Sequence, residues 1–217
     1  IGLMIGLVTI KLSVPSFITT LGAFFLINGI TLTVSRGFPA NVPVGTGLAG
    51  IMGAWGYSEI VWAALIVAIM HIVLRHTRWG LHTIATGGNL VAAAEAGIRT
   101  NRIKLGNFVL TSALGGFTGL MEAFRVGSAD PLAGGSNIMF LGVASGVIGG
   151  TAIAGGAGTI VGGLVGGVML GVLQDGFTLQ GINAFMFNII IGVAILVAMV
   201  ANIHLARLRG GSATGMR

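Results

Sequence analysis

The sequence predicts an all-α polytopic integral membrane protein, and three observations lead to that prediction. Charged residues make up 7% of the 217 residues, against roughly a quarter in soluble domains. The mean hydropathy is +1.00. Between Asp130 and Asp175 lie 44 residues without a charge, which as helix would extend about 66 Å, roughly twice the hydrocarbon core of a bilayer. This run must cross the membrane twice, or cross once and re-enter.

The apolar runs between charged or glycine-rich segments predict about six crossings of the membrane. Each run is long enough, with modest flanks, for one transmembrane helix. The predicted helices cover residues 16–34, 58–74, 104–124, 138–153, 159–174 and 184–204, with residues 1–10 as the end of an earlier span. The chain begins inside this apolar helix and without an initiator methionine. We therefore interpret residues 1–217 as one transmembrane domain that lacks its N-terminal spans.

The segments at the helix ends carry turn-forming and capping residues. Residues 35–58 hold six glycines and two prolines, which predicts an extracytoplasmic loop with a short re-entrant turn rather than a spanning helix. Ser58 and Glu59 are residue types that favour the start of the next helix. Glu122 and Arg125 lie three residues apart and are expected to form a local ion pair.

The distribution of charge predicts the orientation in the membrane. Threading the chain through the six helices places nine of the eleven basic residues on one side: Lys11, the loop from Arg75 to Lys104 and the tail from Arg207. Four of the five acidic residues fall on the other side. Because basic loops face the cytoplasm, we expect a cytoplasmic C-terminus. The chain has no basic run with interleaved aromatic residues, which is the pattern typical of nucleic-acid binding. We therefore attribute the net charge of +6 to the topology in the membrane.

Glycine is the second strong signal, with 39 residues in the chain. Within residues 142–171, glycines recur every four residues in several runs. Such small-residue stripes predict close helix packing, because lipid offers no hydrophobic force for helix association. A sliding role during gating is compatible with that packing. The candidate packing residues are Gly146, Gly150, Gly162 and Gly166.

Two glycine pairs, at 149–150 and 155–156, predict a tight turn between two short helices. They do not form a phosphate-binding loop, because the chain has no GxxxxGK[ST] motif and no lysine after Lys104. The chain also has no cysteine and no HExxH motif, and the five-residue spacing of His71 and His76 is not that of a helical metal pair. We therefore expect no catalytic residue, metal or cofactor in this chain.

The expected transmembrane helices carry neutral hydroxyl and amide groups. Proton- or sodium-coupled carriers usually keep an ionisable group near the midplane, and these helices have none there. Neutral groups suit the passage of a polyhydroxy solute, and hydrogen bonding between helices is the alternative explanation for each of them. The candidate translocation-path residues are Asn28, Thr31, Thr111, Ser145 and Asn188.

The most informative segment lies in the basic loop, at residues 87–104. Asn89 suits a helix N-cap, residues 90–96 allow about two turns, and Gly97 can end them in the left-handed conformation. A short helix with a low-profile alanine face suits insertion into a cleft on a cytosolic partner. The alternative, an amphipathic helix on lipid headgroups, has no strong amphipathic pattern and no aromatic anchor beyond Trp79.

Three segments resemble the permease subunits of bacterial ABC importers for simple sugars, the ribose/xylose/galactose group of the branched-chain amino acid/ribose permease superfamily. VPSFITTLGAFFLINGITL, from Val14 to Leu32, is similar to the family's segment in which a proline precedes an apolar helix with Thr-Leu-Gly. TRWGLHTIATGGNLVAAAEAGIRTNRIKL, residues 77–105, resembles its cytoplasmic loop. GVIGGTAIAGGAGTIVGGLVGGVMLGVLQDG, residues 146–176, resembles its C-terminal glycine-rich signature.

The resemblance implies a type II-like permease of the bacterial inner membrane that forms the translocation path for a monosaccharide. It implies a separate cytosolic ABC ATPase subunit that holds ATP and magnesium, so this chain is not itself an enzyme. It further implies a periplasmic or lipid-anchored sugar-binding protein and a second permease copy. Within the cytoplasmic coupling loop, residues 75–104, it implies these ATPase-coupling residues: Asn89, Ala92, Ala93, Glu95, Gly97 and Ile98.

Two alternatives to a sugar importer stay open at this point. Permeases for branched-chain amino acids or nucleosides share the expected fold, although the loop at residues 77–105 and the run at 146–176 look closer to the sugar group. A self-contained channel or facilitator would also use glycine-rich re-entrant segments. Independence from ATP would distinguish that class.

Overall fold

A computed structural model describes two compact units of the chain. The described residues are 1–42, 47–53, 56–133, 135–153, 155–181, 186, 189–190, 192–197 and 200. The first unit comprises Ile1–Ile69 with Leu90–Gly135, and the second comprises Met70–Asn89 with Ser136–Arg217. The elements in chain order are α1 (Gly2–Lys11), α2 (Ser16–Ser35), β1 (Ala40–Asn41), α3 (Gly47–Met52), α4 (Ser58–His76), α5 (Arg78–Gly88), α6 (Leu90–Glu95), α7 (Thr100–Val126), β2 (Ser128–Ala129), α8 (Ser136–Ile148) and α9 (Ile160–Leu179).

The mainly helical prediction is confirmed, and three of the described helices are long and apolar enough to cross a membrane: α2, α4 and α9. The predicted span at 104–124 lies inside α7, whose 27 residues extend about 40 Å. Most of the predicted span at 184–204, Asn188 and the tail from Arg207 lie outside the described residues.

The predicted span at 138–153 differs from what forms there. Helix α8 has 13 residues, about 20 Å, which is shorter than a hydrocarbon core of about 30 Å. It ends at Ile148, and Gly150 then adopts a φ of +83° that turns the chain. A regular helix over 138–153 therefore does not form, because Gly150, which was predicted to pack within the helix, instead turns the chain after it.

In the first unit, α1 packs along α7 at two glycines. A Cβ at Gly2 would collide with the Phe108 carbonyl oxygen, and one at Gly6 would lie 2.7 Å from Leu105 Cδ1. On the same helix α7, the Phe117 ring meets Trp62 of α4 edge to face, with 5.3 Å between centroids. Helix α2, by contrast, buries none of its residues. Its apolar surface therefore requires lipid or further protein around it.

The loop after α2 is tied to the end of α7. Strand β1 pairs antiparallel with β2, with Ala40 opposite Ala129. The ion pair predicted for Glu122 and Arg125 is confirmed, with 2.8 Å between Oε1 and Nη2. Arg125 Nε also lies 2.8 Å from Glu59 Oε1 at the start of α4. The hydrogen bond and charge of Glu122, then the charge of Glu59, raise the pKa of Arg125. These half-exposed pairs orient the helix ends but contribute at most about 1 kcal/mol each.

In the second unit, α8 and α9 form a hairpin around Ala144 and Leu170, which are 0% and 2% exposed. Backbones touch along this hairpin. A Cβ at Gly166 would collide with the Ser145 carbonyl oxygen, and one at Gly162 with the Gly149 carbonyl oxygen. A Cβ at Gly163 would meet nothing within 4 Å. One face of α9 therefore requires glycine, and the neighbouring face does not.

Valine at Gly166 is expected to destabilise the hairpin by about 1–3 kcal/mol relative to valine at Gly163, because only the first side chain forces α8 and α9 apart. The two variants share the helix and the change in helix propensity. Thermal unfolding of the purified protein in mild detergent measures the difference. Equal midpoints for Gly166→Val and Gly163→Val would show that α8 and α9 do not pack closely at this point.

Candidate coupling segment

Helix α5 folds back on the end of α4 within a single residue, and the sequence prediction missed it. Thr77 Oγ1 accepts a hydrogen bond from Gly80 N at 3.2 Å and donates one to the Val73 carbonyl oxygen at 2.6 Å. A Cβ at Gly80 would collide with the carbonyl oxygens of Val73 and Leu74. The start of α5 could have been predicted from the sequence, because Thr77 lies three residues before Gly80, which is the spacing of a helix N-cap and the N–H that it accepts from.

The last turn of α5 lies directly against the turn between α8 and α9. A Cβ at Gly87 would lie 2.8 Å from Gly156 N, and one at Gly155 would lie 2.6 Å from the Gly87 carbonyl oxygen. A Cβ at Gly88 would be in ordinary contact, 3.7 Å from Gly156 Cα. Gly155 and Gly156 have φ of +95° and +76°, which other residues rarely adopt. We call Gly87, Gly88, Gly155 and Gly156 the glycine contact.

The chain passes from the glycine contact straight into α6 through Asn89. Asn89 is extended, with φ −150° and ψ 107°, and its N–H bonds to the Ala85 carbonyl oxygen at 3.1 Å. Helix α6 then begins at Leu90. Asn89 therefore ends α5, and α6 begins at the next residue.

Helix α6 is closed by a Schellman motif within the first unit. Gly97 has a φ of +83°. Its N–H bonds to the Ala94 carbonyl oxygen, and the Ile98 N–H bonds to the Ala93 carbonyl oxygen, both at 3.0 Å. This pair of bonds satisfies the last carbonyl groups of the helix and holds its end in one conformation.

The two faces of α6 differ in exposure. Ala93 is 5% exposed, and α6 packs against α7 within its own unit. Ala92, Glu95 and Gly97 are exposed, and Ile98 is half-buried. Val91 is 66% exposed. The result is a short ridge of small and apolar residues that another protein can cover.

The candidate path residues are placed in different parts of the chain. In the first unit, Thr111 lines a cavity of about 750 Å³ between α1, α2 and α7. Asn28 is half-buried and Thr31 is exposed on α2, and neither lines that cavity. In the second unit, Ser145 Oγ donates to the Gly142 carbonyl oxygen at 2.8 Å. Asn188 lies outside the described residues.

The candidate packing glycines also differ in their surroundings. Gly166 lies against the backbone of Ser145 in α8 and Gly162 against that of Gly149 just after α8, whereas a Cβ at Gly146 or Gly150 would meet nothing within 4 Å. The residues that approach α9 closely are Ser145 of α8 and Gly149, which directly follows α8, and the four-residue glycine repeat selected neither of them. Among the described residues, no group of three or more His, Cys, Asp or Glu side chains could hold a metal ion.

Several import permeases are similar to this chain over most of its length. It is 37% identical over 207 residues to the xylose/arabinose import permease XylH of Sulfolobus acidocaldarius, covering 95% of this chain and 58% of that protein. It is 35% identical over 209 residues to the ribose import permease RbsC of Escherichia coli K12, covering 93% and 64%. It is 32% identical over 213 residues to the galactose/methyl galactoside import permease MglC of the same organism, covering 92% and 62%.

The chain thus spans about three fifths of the length of each of these relatives. No solved structure gives a significant match. The family model for the permease component of branched-chain amino acid transport systems matches residues 1–199. A match over this much of a mainly helical, apolar chain identifies it as a member of that family of membrane permeases.

Proposed function

We propose that this chain is the membrane-spanning subunit of an ATP-driven ABC importer and forms the translocation path for a simple sugar. The observation that carries the proposal is the similarity, over nine tenths of the chain or more, to permeases named for xylose and arabinose, ribose and galactose. All three names denote neutral polyhydroxy solutes, and neutral hydroxyl and amide groups are what the chain offers on its helices.

The driving force in this proposal comes from outside the chain. A cytosolic ABC ATPase would bind ATP and magnesium and perform the hydrolysis, while this chain does no chemistry on the solute. A periplasmic or lipid-anchored sugar-binding protein would deliver the solute, and a second permease copy would complete the path. The protein would lie in the bacterial inner membrane, with several crossings in this part of the chain and its C-terminus in the cytoplasm.

Helix α6 is the segment best suited to contact the ATPase. Its exposed ridge includes Ala92, which lets another backbone approach closely, and the helix packs against α7 within its own unit. The Schellman motif at Gly97 and Ile98 holds the end of the helix, so a push on α6 would move it as one body rather than unwind it.

The glycine contact offers a route from α6 to the membrane helices. A displacement of α6 acts on Asn89 through the chain itself. Asn89 is bonded to the last turn of α5, and that turn lies on the turn between α8 and α9. Since backbones touch directly there, no flexible side chain can absorb the displacement. The short α8 would then move with the coupling segment as the path opens and closes.

Substitution of Gly97 by glutamate is expected to lower copurification of an ATPase subunit by about tenfold or more, equivalent to about 1.4 kcal/mol. Glutamate is strained in the left-handed conformation and adds a negative charge beside the exposed ridge. The measurement is a mild-detergent pull-down from native membranes with mass spectrometry. Gly127→Glu is the matched control, because Gly127 ends α7 with a similar φ of +71°.

Undiminished ATPase recovery with Gly97→Glu would argue against α6 as the docking segment. Recovery of no ATPase with the unaltered protein, in repeated preparations, would favour the channel or facilitator. Import of branched-chain amino acids rather than sugars by the recovered complex would show that the chain is an amino-acid permease of this family.

Alanine at Gly87 is expected to lower sugar import per ATP hydrolysed several-fold, in the range of about 0.5–2 kcal/mol of coupling. Its Cβ would lie 2.8 Å from Gly156 N, whereas the Cβ of Gly88→Ala would lie 3.7 Å from Gly156 Cα. The two variants make the same chemical change one residue apart. Uptake and hydrolysis are measured on the same membrane vesicles. Equal ratios of sugar uptake to ATP hydrolysis for the two variants would show that the glycine contact does not take part in coupling.

A further inference from the structure

The cavity between α1, α2 and α7 has a mainly apolar lining that also includes several neutral polar groups and one charged side chain. Hydroxyl and amide groups line it from all three helices, among them Thr9, Ser16 and Asn101. Lys104 is the charged residue of the lining. Among the described residues, no carboxylate lies within ion-pair distance of the Lys104 ammonium group. The cavity therefore offers hydrogen-bond donors and a positive charge without a counter-ion.

Two helix N-termini add to the positive potential of this cavity. Ser16 is the first residue of α2 and Asn101 the second residue of α7. The N-cap residues, Pro15 of α2 and Arg99 of α7, make no side-chain cap hydrogen bond, and Pro15 has no N–H of its own. Helix N-termini carry partial positive charge and favour anions. Thr9 Oγ1 is buried at the cavity and lacks a hydrogen-bond partner among the described residues.

An apolar groove continues from the cavity between α1 and α2. Its volume is about 290 Å³, and Met4, Val8 and Leu26 are among the residues that line it. Ile5 and Val14 line both the groove and the cavity. The groove is open at Gly22, where a Cβ would meet nothing within 4 Å. A cavity with one lysine and several neutral polar groups in its lining is thus joined to an apolar groove within the same unit.

We propose that the cavity and the groove together bind one anionic phospholipid. The phosphate lies near Lys104 and accepts hydrogen bonds from the surrounding hydroxyl and amide groups, and one acyl chain follows the groove along α1 and α2. A soluble anion would leave the apolar groove unused. A zwitterionic lipid would bring a cationic headgroup to a cavity that has a cation and no carboxylate in its lining. Basic pockets between membrane helices are known to hold acidic headgroups.

This lipid site goes beyond the transport function and does not depend on which solute is carried. Lys104 lies at the start of α7, at the end of the basic loop, so the headgroup is expected in the leaflet on that side of the membrane. A bound lipid there would fill the space between α1 and α2 and hold α2, which buries none of its residues within the chain, beside the rest of the first unit.

The headgroup test uses the purified protein in detergent with phosphatidylglycerol or phosphatidylcholine added, and native mass spectrometry counts the retained lipids. Lys104→Gln should lower retention of phosphatidylglycerol about fivefold and leave phosphatidylcholine unchanged. Arg102→Gln, which removes an exposed charge two residues away outside the cavity lining, is the control and should retain the lipid. Equal losses for Lys104→Gln and Arg102→Gln, or equal retention of both lipids by the unaltered protein, would overturn the site.

The acyl-chain test uses phosphatidylglycerol with a photoreactive diazirine on one chain. Crosslinks in the unaltered protein should concentrate on peptides of α1 and α2 that line the groove. Gly22→Leu fills the groove and should remove them, whereas Gly29→Leu, on the same helix and also without neighbours within 4 Å, should not. Crosslinks spread evenly over all helices would indicate only surrounding lipid. Absence of groove crosslinks would indicate that protein covers the groove, and both results would overturn the proposal.

Discussion

Direct contact between glycine backbones is the constraint on which the second unit depends. In lipid, apolar side chains gain nothing by turning inward, so helices associate through close van der Waals contact. Gly149 and Gly166 bring α8 and α9 to that distance, and Gly87 and Gly156 do the same for α5 and the turn between them. Each of these contacts leaves no room for a Cβ. The hairpin, the turn and the end of α5 therefore behave as one packed body.

Direct backbone contact also matters for the short helix α6. A helix of six residues has little stability of its own, so its shape comes from what surrounds it. It packs against α7 within its own unit, and Gly97 and Ile98 close its end. Asn89 connects it to α5 without a linker. In the proposed importer, this arrangement converts contact with an ATPase into movement of packed helices.

The main features of the fold could be predicted from composition, because long uncharged runs and charged segments leave few arrangements in a membrane. The start of α4 at Ser58 and the ion pair between Glu122 and Arg125 follow from residue types at short spacing. The sequence did not predict the second partner of Arg125, Glu59, or the pairing of β1 with β2, because both join segments far apart in the chain. It also predicted too long a helix at α8, since a glycine stripe has the same pattern whether it packs or ends a helix.

The candidate coupling segment and the cavity around Lys104 show the same difference between features set by nearby residues and features that depend on distant ones. The boundaries of α6 could be predicted because Asn89 and Gly97 act locally. The glycine contact could not, since Gly87 and Gly156 are brought together only by the fold. The cavity around Lys104 was also out of reach, because its lining comes from three helices and individual serines and threonines in an apolar sequence have many explanations.

The most direct measurement is uptake of radiolabelled ribose, xylose and galactose by proteoliposomes that contain the protein with its copurified partners. We expect that at least one of these sugars accumulates against its gradient only when ATP and magnesium reach the face that carries α6. Equal uptake with and without ATP, stopping at equilibrium, would contradict it and establish a facilitator.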